Sequence, residues 1–184
     1  MLTSLAPSPA KRHRRPTASP RSRVAGADGR RADPLRILAE ALASDVTPGG
    51  WTEAAADGVR RWTRLAVGPH SEAWVIAWPP GGGLSLHDHG PSAGAVVVRS
   101  GTLLEASVVA GADGRLELAT RRRGPGSPWT MAPGHVHDVV NDGAAVAVSV
   151  HVYAPRLSAM THYRLEGGRL RPEPALGDEP GVRP

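Results

Sequence analysis

Apolar residues recur along this 184-residue chain with two different periods, and the change of period marks its parts. Leu35, Leu38 and Leu42 follow helical spacing, which predicts a helix from Leu35 to Ser44 with Asp33 as N-cap and Pro34 in the first helical position. A second short helix is predicted over Thr52 to Ala56. From Val59 onward, short apolar segments bounded by Gly, Pro and Asp take over. They predict strands over 60–67, 72–78, 84–89, 93–100, 103–110, 115–122, 129–132, 137–141, 145–153 and 161–165. Asp113-Gly114 supplies a hairpin turn between two of them. Helices first and then many short strands predict an all-β barrel of jelly-roll type with a small N-terminal helical layer. The Pro- and Gly-rich end after Leu170 is expected to be coil, and no internal repeat is evident.

Composition narrows the class. Hydrophobic residues make up 40% of the chain, enough to fill one core, and the absence of cysteine removes both disulfides and thiolate metal ligands. No apolar run approaches the roughly 20 residues a membrane-spanning helix needs, so a soluble, cytoplasmic protein is expected.

The net charge of +5 invites a nucleic-acid reading, but its location opposes one. Residues 1–33 hold Lys11, Arg12, Arg14, Arg15, Arg21, Arg23, Arg30 and Arg31 against Asp28 and Asp33, a balance of +6 that leaves −1 on the rest. Interleaved with Pro, Ser and Ala, this stretch has too little apolar surface to order itself. It is expected to be a disordered basic tail or the product of an upstream start codon, ahead of nonspecific polyanion binding or a targeting peptide. No apolar core follows the charges, which disfavours a secretory signal. The expected organisation is a tail over 1–33, one domain over 34–170 and coil over 171–184.

Candidate chemistry concentrates in two histidine clusters, His87-Asp88-His89 and Gly134-His135-Val136-His137. Strand side chains alternate faces, so His87 and His89 point the same way and a second strand can aim His137 at the same point. That arrangement predicts a metal site inside the barrel. Gly81, five residues, His87, one residue, His89 and then Gly101 reproduce most of the first cupin motif, but the motif's glutamate falls at Gly94. Gly134, His137 and Asn141 match the second cupin motif, except that Pro133 and Gly134 are adjacent. What remains is a cupin site of three histidines without the acid.

Ser149, His151 and Tyr153 fall at i, i+2 and i+4, so they line one face of a strand and can form a hydrogen-bond relay. The plainer reading is a barrel strand turning polar residues to water. Arg64 carries a planar fork suited to a carboxylate, or is an ordinary surface arginine in an Arg-rich chain. His70 and His162 are expected to be surface or structural histidines.

Over roughly residues 35 to 170 the chain resembles cysteine dioxygenase type I in its bacterial form. The matching residues are Trp62-Thr63-Arg64, Ser85-Leu86-His87-Asp88-His89 with Ser92 and Gly94, Gly101-Thr102-Leu103-Leu104-Glu105, His137 with Asn141, and Ser149-Val150-His151-Val152-Tyr153-Ala154-Pro155. The resemblance implies Fe(II) held by His87, His89 and His137, with His135 outside the ligand set. It implies L-cysteine and O2 as substrates, both oxygen atoms ending on sulfur to give cysteine sulfinate. It assigns Arg64, with Trp62 beside it, to the substrate carboxylate, and Tyr153, His151 and Ser149 to the relay: a phenol donating towards the substrate, a histidine orienting it and a serine fixing the tautomer.

Two departures stand out. Mammalian members carry at the position of Gly94 a cysteine cross-linked to the tyrosine, which is impossible here, and Trp62 replaces a tyrosine. Relatives acting on 3-mercaptopropionate carry glutamine at the position of Arg64. That acid, another small thiol, or a noncatalytic metal-binding cupin that senses a ligand are the alternatives. The resemblance also implies a cis peptide between Ala154 and Pro155.

Overall fold

Asp33 is the N-cap of the first helix, its carboxylate accepting the Leu35 N–H at 2.9 Å. The structure, a computed structural model, describes residues 33–173. The expected basic tail, apart from Asp33, and the end from Pro174 onward lie outside the described residues. Helix α1 covers Pro34–Asp45. Helix α2 covers Pro48–Ala54 and so starts before the predicted Thr52. Pro48 occupies its first turn with φ already set for a helix, a signal that apolar spacing does not carry.

Eleven strands follow: β1 (Arg61–Val67), β2 (Glu72–Trp78), β3 (Gly83–His87), β4 (Ala93–Ser100), β5 (Leu103–Ala110), β6 (Leu116–Arg123), β7 (Trp129–Met131), β8 (His137–Val140), β9 (Ala147–Ala154), β10 (Tyr163–Glu166) and β11 (Arg169–Pro172). One antiparallel sheet has the order β1-β2-β9-β4-β7 and a second the order β3-β8-β5-β6, the two walls of a cupin barrel. The β10-β11 hairpin forms a third, two-stranded sheet. Strand β11 corrects the coil expected after Leu170. Gly167 and Gly168 both take positive φ, 58° and 75°, and so close a tight turn that lets Arg171 and Pro172 pair back on Arg164 and Tyr163.

The two faces of the first sheet explain its sequence. Ala73, Val75 and Ala77 of β2 lie under the helices with Val148, Val150 and Val152 of β9, while Trp74, Ile76 and Trp78 enter the barrel with Val96, Val98, Leu103 and Val139. Strand β2 is therefore buried on both faces and reads as a continuous apolar run. Each fully buried aliphatic side chain such as Ile76 contributes about 1.5–3 kcal/mol.

On β9 the alternation is inverted. Valines face the helices, and Ser149, His151 and Tyr153 face the interior at 0%, 3% and 1% exposure, which rules out the water-facing reading. At Gly101, between β4 and β5, φ is +73° and an added Cβ would lie 2.7 Å from Ala147 Cα, so the turn admits only glycine. The Ala154–Pro155 peptide is cis. Among the described residues no helix is long and apolar enough to cross a membrane.

Candidate metal site and its polar relay

Antiparallel pairing sets His87 of β3 directly opposite His137 of β8, and His89 follows two residues on. The ring centroids of His87 lie 4.8 Å from His89 and 4.7 Å from His137, and those of His89 and His137 lie 5.3 Å apart. All three residues are buried, and each offers a ring nitrogen within 4.8 Å of the others.

Two of the rings are oriented by their outer nitrogens. His87 Nδ1 donates to the Ser85 carbonyl at 2.7 Å, and His137 Nδ1 faces Glu105 Oε1 at 3.3 Å. Both leave Nε2 free, and in His137 that atom is buried with no hydrogen-bond partner among the described residues. Burial, and then the neighbouring rings, push His87 well below the usual histidine range. Burial first, then His137, brings His89 down to about 3. Burial also lowers His137, against the pull of Glu105. Three neutral, convergent imidazoles, one with an orphaned inward nitrogen, fit a divalent first-row metal ion.

Glu105 on β5 anchors the outside of this site. It is 1% exposed, accepts Arg123 Nε at 2.8 Å, and has Arg123 in turn stacked 4.9 Å over Trp129. Burial alone would raise its pKa, but His135, His137 and Arg123 together hold it well below the usual carboxylate range. His135 lies 3.9 Å from Glu105 Oε1 and 3.2 Å from Ser107 Oγ. It forms a second potential metal-holding group with Glu105 and His137, away from His87 and His89.

Asp88, between two of the histidines, ties down their turn. Its Oδ1 accepts the N–H groups of Gly90 and Thr161, each at 3.1 Å, and its Oδ2 accepts the Tyr163 hydroxyl at 2.8 Å. The β10 hairpin thus grips the histidine turn. His162 forms a bridge to His87, with its ring 6.0 Å away, while His70 is exposed.

On β9 the relay is continuous. Trp78 Nε1 donates to Ser149 Oγ at 2.8 Å, Ser149 Oγ lies 2.9 Å from His151 Nε2, and His151 Nδ1 lies 3.2 Å from Tyr153 Oη. An indole only donates, so the single proton of Ser149 is best used on His151 Nε2, which puts the imidazole proton on Nδ1, facing Tyr153. The Tyr153 hydroxyl hydrogen is then free to point away from the relay. Its ring centroid is 4.7 Å from that of His89. Burial and then the charge of Glu72 push Tyr153 up, while burial first, and then the neighbouring His89, His137 and Arg60, push His151 well down, so both stay neutral.

Arg64 and Trp62 sit at the barrel rim. Trp62 packs edge-on against Trp74 at 5.6 Å, and the Arg64 guanidinium lies 5.1 Å over the same ring and 3.8 Å from Glu72 Oε2. Arg64 is 47% exposed. Gly94, where the cupin glutamate would stand, lies directly opposite Tyr153, and a Cβ there would come within 3.1 Å of the phenol ring. Asn141 is structural: its amide donates to the carbonyls of Trp78 and Ala145.

The family profile of cysteine dioxygenase type I matches residues 28–165, taking in both histidine clusters and all of β9. The chain belongs to the cysteine dioxygenase type I family.

Comparison with curated proteins yields no match. Among solved structures, Peruvianin-I, a cysteine peptidase from Thevetia peruviana latex, is 20% identical over 52% of this chain and 61% of that one, with a TM-score of 0.44. A recombinant oxalate oxidase in complex with glycolate is 20% identical over 56% and 54%, with a TM-score of 0.48. A Klebsiella pneumoniae protein with a double-stranded β-helix domain is 23% identical over 56% and 84%, with a TM-score of 0.42. The chain thus spans little more than half the length of the first two.

Sequence reasoning assigned no role to Trp78, Glu72 or Glu105. Each left a trace: Glu105 alternates with Leu103 and Ser107 on a strand, and Glu72 precedes an apolar run at the same parity as Trp74, Ile76 and Trp78.

Proposed function

We propose that the protein is an iron(II)-dependent thiol dioxygenase that converts L-cysteine to cysteine sulfinate, with all atoms of the thiol and of O2 retained in the product. The observation that carries this reading is the Tyr153 ring packed 4.7 Å from the ring of His89, at the head of a buried relay. A binding cupin has no use for a neutral phenol supported through His151, Ser149 and Trp78 beside its metal ligands.

His87, His89 and His137 would hold the iron, which when bound supplies the redox chemistry that joins O2 to sulfur. Because the three ligands are neutral and no carboxylate joins them, the loaded site stays cationic and favours a thiolate. Tyr153, kept protonated by burial, presents its hydroxyl hydrogen to the bound substrate and holds it against sulfur and oxygen. His151 donates to the phenol oxygen and keeps it from turning inward. Ser149 and Trp78 hold His151 in the tautomer that does so. The carboxylate end of the substrate passes Trp62 and meets Arg64 at the rim, where a charge-assisted contact selects an acid.

Oxygen uptake and sulfinate formation by the iron-loaded protein with L-cysteine test this reading. One sulfinate per O2 is expected, and replacing any of the three histidines with alanine should remove bound iron and turnover together. Iron-loaded protein that consumes no O2 with cysteine or another small thiol refutes it.

A further inference from the structure

Two groups of side chains able to hold a metal ion meet at His137. Beside the triad it forms with His87 and His89, His137 belongs to a second group with Glu105 on β5 and His135 in the turn ahead of β8. It has one nitrogen for each. Nε2 is buried and without a hydrogen-bond partner among the described residues, while Nδ1 faces Glu105 Oε1 at 3.3 Å. His135 Nε2 lies 3.9 Å from the same oxygen. Arg123 meets Glu105 through Oε2 and so leaves Oε1 to the two histidines.

We propose that Glu105, His135 and His137 form a second, inhibitory site for a divalent ion of the zinc class, sharing His137 with the triad. The inference rests on the triad holding a metal and not on which thiol the protein oxidises.

Zinc bonds of about 2.0–2.2 Å at tetrahedral angles set ligand atoms about 3.3–3.6 Å apart. The two edges that meet at Glu105 Oε1, 3.3 and 3.9 Å, are close to that spacing, and the ligand atoms of all three residues lie within 4.8 Å of one another. A small inward turn of His135 closes the remaining edge. Its backbone is already held, with His135 N–H donating to the Ala132 carbonyl at 3.1 Å and Gly134 N–H to the Gly90 carbonyl at 3.0 Å, so only the imidazole has to move. The His135 side chain is 29% exposed, whereas Glu105 and His137 are buried, and it therefore gives an ion its way in from solvent. Two imidazoles and one carboxylate are also a donor set that holds zinc with one position left open.

Filling this site releases the Nδ1 proton of His137 to solvent and breaks the hydrogen bond to Glu105, and no electron moves. The ring becomes an imidazolate shared between two ions. It then brings negative charge to a triad whose neutral ligands otherwise leave its metal fully cationic, which weakens the hold on a thiolate.

The test is metal analysis after equilibrium dialysis of the iron-loaded full chain against zinc(II), with oxygen uptake read on the same samples. The parent should keep its iron and bind one zinc per chain more than His135→Gln, and its uptake should fall about tenfold as that zinc binds. His135→Gln should match the parent in iron content and in uptake without zinc, and zinc should leave it unaffected. Ser107→Ala removes the hydroxyl 3.2 Å from His135 Nε2, which competes for that nitrogen, and should bind the extra zinc at least as tightly as the parent.

Equal zinc content in the parent and His135→Gln overturns the proposal, and so does zinc that enters only by expelling iron. Zinc bound through His135 with uptake unchanged overturns the inhibitory role. An iron-loaded parent that consumes no oxygen with any small thiol refutes the dioxygenase reading instead, and the difference in zinc content still decides the second site.

Discussion

Glu105 Oε1 faces His137 Nδ1 at 3.3 Å, and this contact decides which nitrogen of His137 is available to a metal. His135, His137 and Arg123 together keep the carboxylate ionised, so it accepts from Nδ1 and turns the unpartnered Nε2 towards His87 and His89. Replacing Glu105 with alanine should weaken metal affinity by about 10- to 100-fold while leaving three histidines in place. Competition with a chelator, read as metal per protein, checks it; an unchanged affinity shows that the ring is oriented by packing alone.

The relay direction is separately testable. Nitrogen chemical shifts of His151 should show the proton on Nδ1, because Ser149 can give its one proton to Nε2. Trp78→Phe removes the indole donor and should yield a mixture of tautomers, with kcat lowered and KM nearly unchanged. A Nε2-protonated imidazole in the parent reverses the assignment.

At Gly94 the constraint is steric. A methyl group there would meet Met131 Cε at 2.7 Å and two Tyr153 ring carbons at 3.1 Å. Methionine can swing aside, but the phenol is locked by its relay. Gly94→Ala should therefore cost about 1–3 kcal/mol of stability and reduce turnover with iron retained. Thermal melts and iron analysis on one preparation separate the two effects, and full activity would show that Tyr153 has room to move.

Buried His151 makes stability depend on pH. Its folded pKa is depressed below the ordinary value of 6.5, first by burial, so the unfolded chain binds a proton that the native protein refuses. Its stabilising effect is fully present above about pH 6.5 and is lost as pH falls towards the folded value, by up to about 1.4 kcal/mol per pH unit. Denaturant unfolding at pH 7.5, 6.5 and 5.5 should show a drop only in the acid interval, and His151→Gln should make that drop shallower. An identical slope in the variant would assign the acid sensitivity to other groups.

Much of this molecule is legible without coordinates where a local rule operates. Asp33 and Pro34 start α1 through capping chemistry contained in two residues, and the β4 and β5 boundaries follow from apolar runs punctuated by Gly101. Strand alternation accounts for His87 but not for His89, because β3 ends at His87 rather than at the predicted His89 and the turn held by Asp88 places the second ring. Local rules fail where the partner is distant in sequence. The interior location of Ser149, His151 and Tyr153 depends on α1 and α2 covering the valine face of β9, which a single strand cannot reveal.

The same reason separates what the sequence by itself determined from what only the tertiary structure decided. Strand periodicity and histidine spacing determined a barrel with a metal-ligating cluster. Pairing across 32 residues puts Glu105 on His137, and pairing across 71 residues brings Trp78 to Ser149. The β1-β2 hairpin, whose register no residue type announces, sets Arg64 over Trp74 and beside Glu72 at the rim. Side-chain chemistry is carried by each residue alone, but its charge, tautomer and reach are set by what the barrel brings against it.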